Sequence, residues 1–218
     1  MAIAAVIFDF GGVITSSPFE AFARYEAQRG LPTGFIRTVN ANNPDTNAWA
    51  RLERSEIGTG EFDAAFRAEA ISLGHDVPGG DVLPLLAGDV RPGMVAALRA
   101  CKAAFKIGCI TNNVPSGKGA GMAMSDEKAA AISAVMDRFD HIIESSKAGV
   151  RKPDPRIYAM MCAALEVKPS QCIYLDDLGI NCKPAAAMGM AAIKVTSGVQ
   201  ALNDLGALLA LTFTPLGV

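Results

Sequence analysis

Short apolar runs that each stop on a polar residue recur along this chain, and they limit what it can fold into. Ile3-Ala4-Ala5-Val6-Ile7-Phe8 ends on Asp9, Ile107-Gly108-Cys109-Ile110 ends on Thr111-Asn112-Asn113, and Cys172-Ile173-Tyr174-Leu175 ends on Asp176-Asp177. Runs of this length without polar alternation read as strands covered on both faces, the condition of a parallel sheet. Helical-period stretches separate them, so the chain alternates strand and helix as α/β folds do. The spacing predicts strands at about 3–8, 105–110, 141–144, 172–175 and 191–195. It predicts helices at about 92–104, 126–138, 155–166, 184–188 and 199–209, with Pro92 and Pro155 in first turns, where the missing N–H costs nothing. Further helical stretches between Pro18 and Ala87, broken by Gly30, Gly58-Thr59-Gly60 and Gly74, predict a helical insert after the first strand. Phe19, Phe22, Phe35, Phe62 and Phe66 would form its core.

Ligands of open parallel sheets bind beyond the carboxyl ends of the strands. Asp9, running straight into Gly11-Gly12, stands at such an end. Taken alone, the segment reads equally well as a strand and glycine turn that Asp9 merely caps. Three later segments weigh against chance: Thr111-Asn112-Asn113, Lys152 just before the proline-started helix at Pro155, and Asp176-Asp177 with Asn181 shortly after. In chain order they supply a carboxylate, a hydroxyl, an ammonium and a carboxylate pair.

Together these segments resemble the four motifs of the haloacid dehalogenase superfamily. Phe8-Asp9-Phe10-Gly11-Gly12-Val13 looks like the first, Thr111-Asn112-Asn113 the second, Lys152-Pro153-Asp154-Pro155 the third, and Leu175-Asp176-Asp177-Leu178-Gly179-Ile180-Asn181 the fourth. Residues 144–158 and 176–189 are similar to the phosphatase-like domain at the N-terminus of soluble epoxide hydrolases, and to a related domain fused to some acyl-CoA dehydrogenases. The resemblance implies a doubly wound, Rossmann-like α/β core at 1–14 and 91–218, with an inserted all-helical cap at 15–90. It implies Asp9 as a nucleophile that forms an aspartyl-phosphate. A phosphate ester is an anion, so a carboxylate attacks it only where a cation and fixed positive groups neutralise the gathering charge. The implied phosphate contacts are Gly11, Gly12, Thr111, Asn112, Asn113 and Lys152, and the implied Mg²⁺ ligands are Asp9, the Gly11 carbonyl and Asp177, with Asp176 beside or behind them.

One position departs from the family pattern. Most phosphatases of the superfamily carry a second aspartate two residues past the nucleophile, to protonate the leaving group; here that residue is Gly11. General acid catalysis contributes roughly 100- to 10,000-fold. Three readings follow: a phosphatase for good leaving groups, a slow phosphatase using another residue or water, or a catalytically weakened domain that binds a phosphorylated ligand or partner. A 2-haloacid dehalogenase ranks below these, since such enzymes need no metal and do not pair carboxylates as Asp176 and Asp177 are paired. A phosphonate hydrolase would need a cap lysine, and the chain has none before Lys102. The expectation is a Mg²⁺-dependent phosphatase of small phosphorylated metabolites.

Composition agrees with a compact enzyme. The 218 residues, half of them hydrophobic, suffice for a core domain and an insert. A net charge of −2 with dispersed Lys and Arg leaves no nucleic-acid footprint. The N-terminal apolar run has no basic lead and is too short for a membrane span. Cys101, Cys109, Cys162, Cys172 and Cys182 are scattered and odd in number, pointing to reduced thiols in a cytoplasmic protein, a monomer or homodimer. The glycine-rich 116–121 segment lacks the pattern of a nucleotide-binding P-loop and reads as a loop beside Thr111. His75 and His141 sit outside any catalytic pattern, and Trp49 reads as cap packing or as part of the active-site mouth. Arg24, Arg29, Arg37, Arg51, Arg54 and Arg67 decorate helix surfaces, and the pattern singles out none of them to meet an anionic substrate.

Overall fold

The computed structural model describes residues 2–114, 122–123 and 125–213, so the 116–121 loop lies outside the described residues. Five strands, β1 (Ala5–Phe8), β2 (Lys106–Thr111), β3 (His141–Glu144), β4 (Cys172–Asp176) and β5 (Ala191–Lys194), form one parallel sheet in the order β3-β2-β1-β4-β5. The chain builds outward from β1 to β3, then returns to the far side of β1 for β4. That reversal puts a crevice between the tips of β1 and β4.

Alternation along each strand sends side chains to two cores. Val6 and Phe8 of β1, with Ile173 and Leu175 of β4, pack under α6 (Pro92–Lys102), α7 (Asp126–Met136) and α11 (Gly198–Leu209). Ala5 and Ile7, with Cys172 and Tyr174, pack on the opposite face under α8 (Ser145–Ala148), α9 (Pro155–Ala164) and α10 (Gly179–Ala187). The result is the expected doubly wound α/β sandwich. One element differs from expectation. Pro184, read as a helix start, lies inside α10, which begins five residues earlier at Gly179. The start is fixed upstream, where the Asp176 carboxylate accepts from the Leu178 N–H at 2.8 Å and from the Asn181 amide at 3.1 Å.

Between β1 and β2 run α1 (Pro18–Arg29), α2 (Phe35–Ala41), α3 (Ala48–Glu53), α4 (Thr59–Ser72) and α5 (Gly79–Val82), followed by a short 3-10 turn. They share a third apolar cluster that includes Phe22, Phe35, Phe62 and Phe66. The chain enters and leaves this region side by side: Thr15 bridges Val90, the Ser16 N–H reaches the Asp89 carbonyl, and the Arg91 N–H reaches the Ile14 carbonyl. Among the described residues no helix is long and apolar enough to cross a membrane.

Candidate active site

Register assembles the site. Phe8 pairs with Leu175, so Asp9 and Asp176, each one residue further on, emerge as neighbours. Phe8 also pairs with Cys109, which puts Thr111 at the adjacent tip of β2. Lys152, 1 % exposed, reaches into the gap from the loop before α9. Its Nζ lies 2.7 Å from Asp9 Oδ1 and 2.8 Å from Asp176 Oδ2. Burial alone would depress the ammonium, but Asp176 and Asp9 outweigh it and hold Lys152 charged.

The adjacent carboxylates play unlike parts. Asp176 is fully buried and spends both oxygens on protein donors: Lys152, the Tyr174 hydroxyl, the Leu178 N–H and the Asn181 amide. Asp177 lines an open cavity and accepts the Ser17 hydroxyl at 3.1 Å. Asp9, Asp176 and Asp177 each place an oxygen within 4.8 Å of the others. Three carboxylates thus share one ammonium. Asp9 is pushed well above the ordinary carboxylate range by burial, then by Asp176 and Asp177, with Lys152 opposing. Burial, then Asp176, pushes Asp177 up to about 6.

The turn after Asp9 separates its two glycines. Gly12 has φ 77°, and a Cβ there would lie 2.1 Å from Asp177 Oδ2, so only glycine lets Asp177 approach. Gly11 has φ −68° and ψ 131°, ordinary values for any residue, with no heavy atom within 4 Å of a Cβ. The Asp9 side chain accepts from the Phe10 N–H at 2.7 Å, also through Oδ1, which leaves Oδ2 without a partner among the described residues.

The expected phosphate contacts divide in the same way. Gly11, Thr111 and Lys152 line the cavity, and so does Asn112. The Asn112 side chain also clasps the Lys152 backbone, donating to its carbonyl at 3.0 Å and accepting its N–H at 2.9 Å. Asn113 does not join them. Its amide is turned toward β3, donating to Glu144 at 2.8 Å and accepting from the Ser146 hydroxyl at 2.8 Å, so the side chain is used up in holding that loop. Gly12 also stays off the cavity, tucked beneath Asp177.

The cavity measures about 520 Å³, and helices of the insert roof it. Phe19 and Phe22, expected chiefly as core and only occasionally as substrate contacts, line it, as does Trp49, which also packs on Phe62 with ring centroids 5.5 Å apart. Glu53, at the end of α3, is buried and reaches across to Arg151 Nε at 2.5 Å, while accepting from Trp49 Nε1 at 3.0 Å. Its carboxyl is raised by burial, with Arg151 opposing. Sequence reasoning missed the Glu53–Arg151 pair, Ser17 and Tyr174. Tyr174 alone carried a legible signal, since two residues before Asp176 it shares that strand face. His75 packs edge-on against Phe35, and His141 is exposed on β3; neither lines the cavity.

The chain matches the family model of haloacid dehalogenase-like hydrolases over residues 3–189. It belongs to that family. It is 33 % identical to mouse acyl-CoA dehydrogenase family member 10 and 30 % identical to pig bifunctional epoxide hydrolase 2, each over 94 % of this chain. The chain spans only 19 % and 38 % of those proteins' lengths. A phosphatase of Mycobacterium tuberculosis, MT3486, is 28 % identical, covering 96 % of this chain and 98 % of the relative. In fold, the chain is similar to a haloacid dehalogenase-family enzyme of Bacteroides thetaiotaomicron solved with magnesium and inorganic phosphate, at a TM-score of 0.59 and 17 % identity over 90 % of this chain and 96 % of that one. As a haloacid dehalogenase-like hydrolase, the chain carries its carboxylates and lysine at the sheet's switch point, where ligands of such sheets bind.

Proposed function

We propose that this hydrolase is a Mg²⁺-dependent phosphomonoesterase of small phosphorylated metabolites, with its catalytic core at 1–14 and 91–218 and a cap at 15–90. The observation that carries the reading is the convergence of Asp9, Asp176 and Asp177 around a single buried ammonium at the floor of a cavity. Attack on a neutral haloalkane carbon would not call for such a surplus of carboxylate. The full-length likeness to a mycobacterial phosphatase supports the same class.

The donor set fits magnesium: hard carboxylate oxygens, close together, with their charge only partly balanced. Asp9, Asp177 and the Gly11 carbonyl would hold the ion, and Asp176 would stand behind them. When bound, the cation supplies neutralisation of the charge that builds on the phosphoryl oxygens. Asp9 Oδ2 attacks phosphorus, the bond to the leaving oxygen breaks, and that oxygen takes its proton from water. A second water then attacks phosphorus, the Asp9–phosphorus bond breaks, and phosphate leaves. Thr111 holds the phosphoryl oxygens, and Lys152 offsets their charge while aligning Asp9.

A phosphate-release screen over acyl, aryl and alkyl phosphates, with Mg²⁺ and with a chelator, tests this directly. Release should require Mg²⁺ and vanish in Asp9→Asn; unchanged release in that variant would remove the nucleophile assignment. Gly11 favours one second reading, a weakened domain that binds a phosphorylated ligand. Mg²⁺ binding without hydrolysis of even acyl phosphates would select it.

A further inference from the structure

We propose that the cavity above Asp9 is an apolar subsite for the leaving group, and that the preferred substrates are aryl phosphomonoesters whose ring carries a hydrocarbon substituent. This deepens the phosphatase reading and rests on it. Apolar side chains line the cavity from both parts of the chain. Phe19 of α1, Trp49 of α3 and Leu86 of the 3-10 turn belong to the insert, while Met122 follows β2, and Leu178 and Ile180 follow β4. None of these six is fully buried, so each keeps apolar surface that a bound molecule can cover. Ile180 is 56 % exposed, although it stands one residue before Asn181, whose amide holds Asp176. The charged pair on the wall, Glu53 and Arg151, is closed on itself at 2.5 Å, and the Arg37 guanidinium lies over the Phe19 ring, 4.4 Å from its centroid. The wall left to a leaving group is chiefly hydrocarbon, in a cavity of about 520 Å³.

Gly11 supplies the independent observation. No carboxyl stands two residues past Asp9, so the phosphorus–oxygen bond breaks with its electron pair going to the leaving oxygen, which water protonates afterwards. A phenol, with a pKa of about 10, carries that charge far more readily than an aliphatic alcohol does. An aromatic ring can also pack edge or face against Phe19 and Trp49, a contact no alkyl chain reproduces. The apolar wall and the missing acid therefore select one kind of molecule, with its phosphate on an aromatic oxygen and hydrocarbon at its far end.

Phenyl, para-ethylphenyl and para-butylphenyl phosphate, whose phenols are of similar acidity, test the subsite on the Mg²⁺-loaded protein. kcat/KM should rise about tenfold at each step, roughly three- to fourfold for each methylene buried. Para-(2-methoxyethyl)phenyl phosphate, as long as the butyl ester but polar, should fall back to the ethyl ester. An alkyl ester of equal carbon count, 4-phenylbutyl phosphate, should turn over about 100-fold or more slowly than the butylphenyl ester, for want of an acid. The ladder should reappear in Kd on Asp9→Asn protein, which does not depend on turnover. On that background Ile180→Ser, at an exposed position, and Leu86→Ser should each flatten it. Equal Kd values across the ladder, a methoxyethyl ester bound as tightly as the butyl one, or a ladder unchanged by both variants would overturn the subsite. Equal turnover of 4-phenylbutyl and para-butylphenyl phosphate would overturn the aryl assignment. A Kd ladder without turnover of any ester by the unmodified protein would uphold the apolar subsite and overturn the phosphatase reading instead.

Discussion

Gly11→Asp places a carboxyl two residues past Asp9, where phosphatases of this family carry their leaving-group acid. The backbone accepts it: φ −68° and ψ 131° suit any residue, and no heavy atom lies within 4 Å of the new Cβ. Restricting a glycine at a compatible site stabilises the fold by about 0.4–1 kcal/mol through the unfolded chain. The opposing effect is electrostatic, since the new group joins three carboxylates that share one lysine. A like charge some 6 Å away at an effective dielectric near 20 costs about 3 kcal/mol, or roughly 2 pKa units. That repulsion keeps the new carboxyl protonated nearer neutral pH, as a general acid needs. Hydrolysis of alkyl phosphates should therefore rise by about 100-fold or more, aryl phosphates should change little, and the fall in rate with leaving-group pKa should flatten. The control is Gly12→Ala, whose left-handed φ of 77° costs about 1–2 kcal/mol and whose Cβ collides with Asp177. It should lower the melting temperature and weaken Mg²⁺ affinity. Rates over an ester series and thermal melts of both variants, with and without Mg²⁺, decide the matter. A Gly11→Asp protein less stable than Gly12→Ala, or an unmodified enzyme equally fast on alkyl and aryl esters, would refute the reasoning.

Lys152→Met should abolish phosphate release and also lower the metal-free melting temperature, because breaking a buried ion pair costs about 3–5 kcal/mol; an unchanged melt would show that the ammonium is not what balances Asp9 and Asp176. Asp177 has its folded pKa raised from 3.8 to about 6, so its contribution to stability is complete below the unfolded value and is lost as pH rises through 6. Thermal melts of the metal-free protein should show this loss between about pH 4 and 6, Asp177→Asn should remove it, and that variant should need more Mg²⁺ for turnover. Asn112→Ala frees both ends of the Lys152 peptide and should cost about 1–3 kcal/mol of stability while lowering kcat more than it raises KM, read by denaturation and steady-state kinetics.

What the sequence made legible was where chains of apolar residues stop. A buried strand has to be apolar throughout, so the first polar residue marks its tip, and Asp9, Thr111 and Asp176 were found that way. Directions at the tips were not legible. Asn112 and Asn113 look alike in sequence, yet one clasps Lys152 and the other turns to Glu144, partners that lie 40 and 31 residues further along the chain. The start of α10 was misplaced because the Asp176 carboxylate, three residues before it, holds the Leu178 N–H and the Asn181 amide and fixes the first turn upstream of the proline.

Each doubled residue of the site is thereby split between support and chemistry. Asp176 gives both oxygens to the protein and fixes Lys152, which in turn occupies one oxygen of Asp9. Asp177 stays open to the cavity, and it does so only because Gly12 has no side chain to exclude it. Gly11 carries no such burden. A position free of steric demand, facing the cavity beside Asp9, can take a side chain without disturbing the turn. The missing acid is therefore a difference of chemistry rather than of fold, and the substrates this hydrolase favours should be those whose leaving groups depart without it.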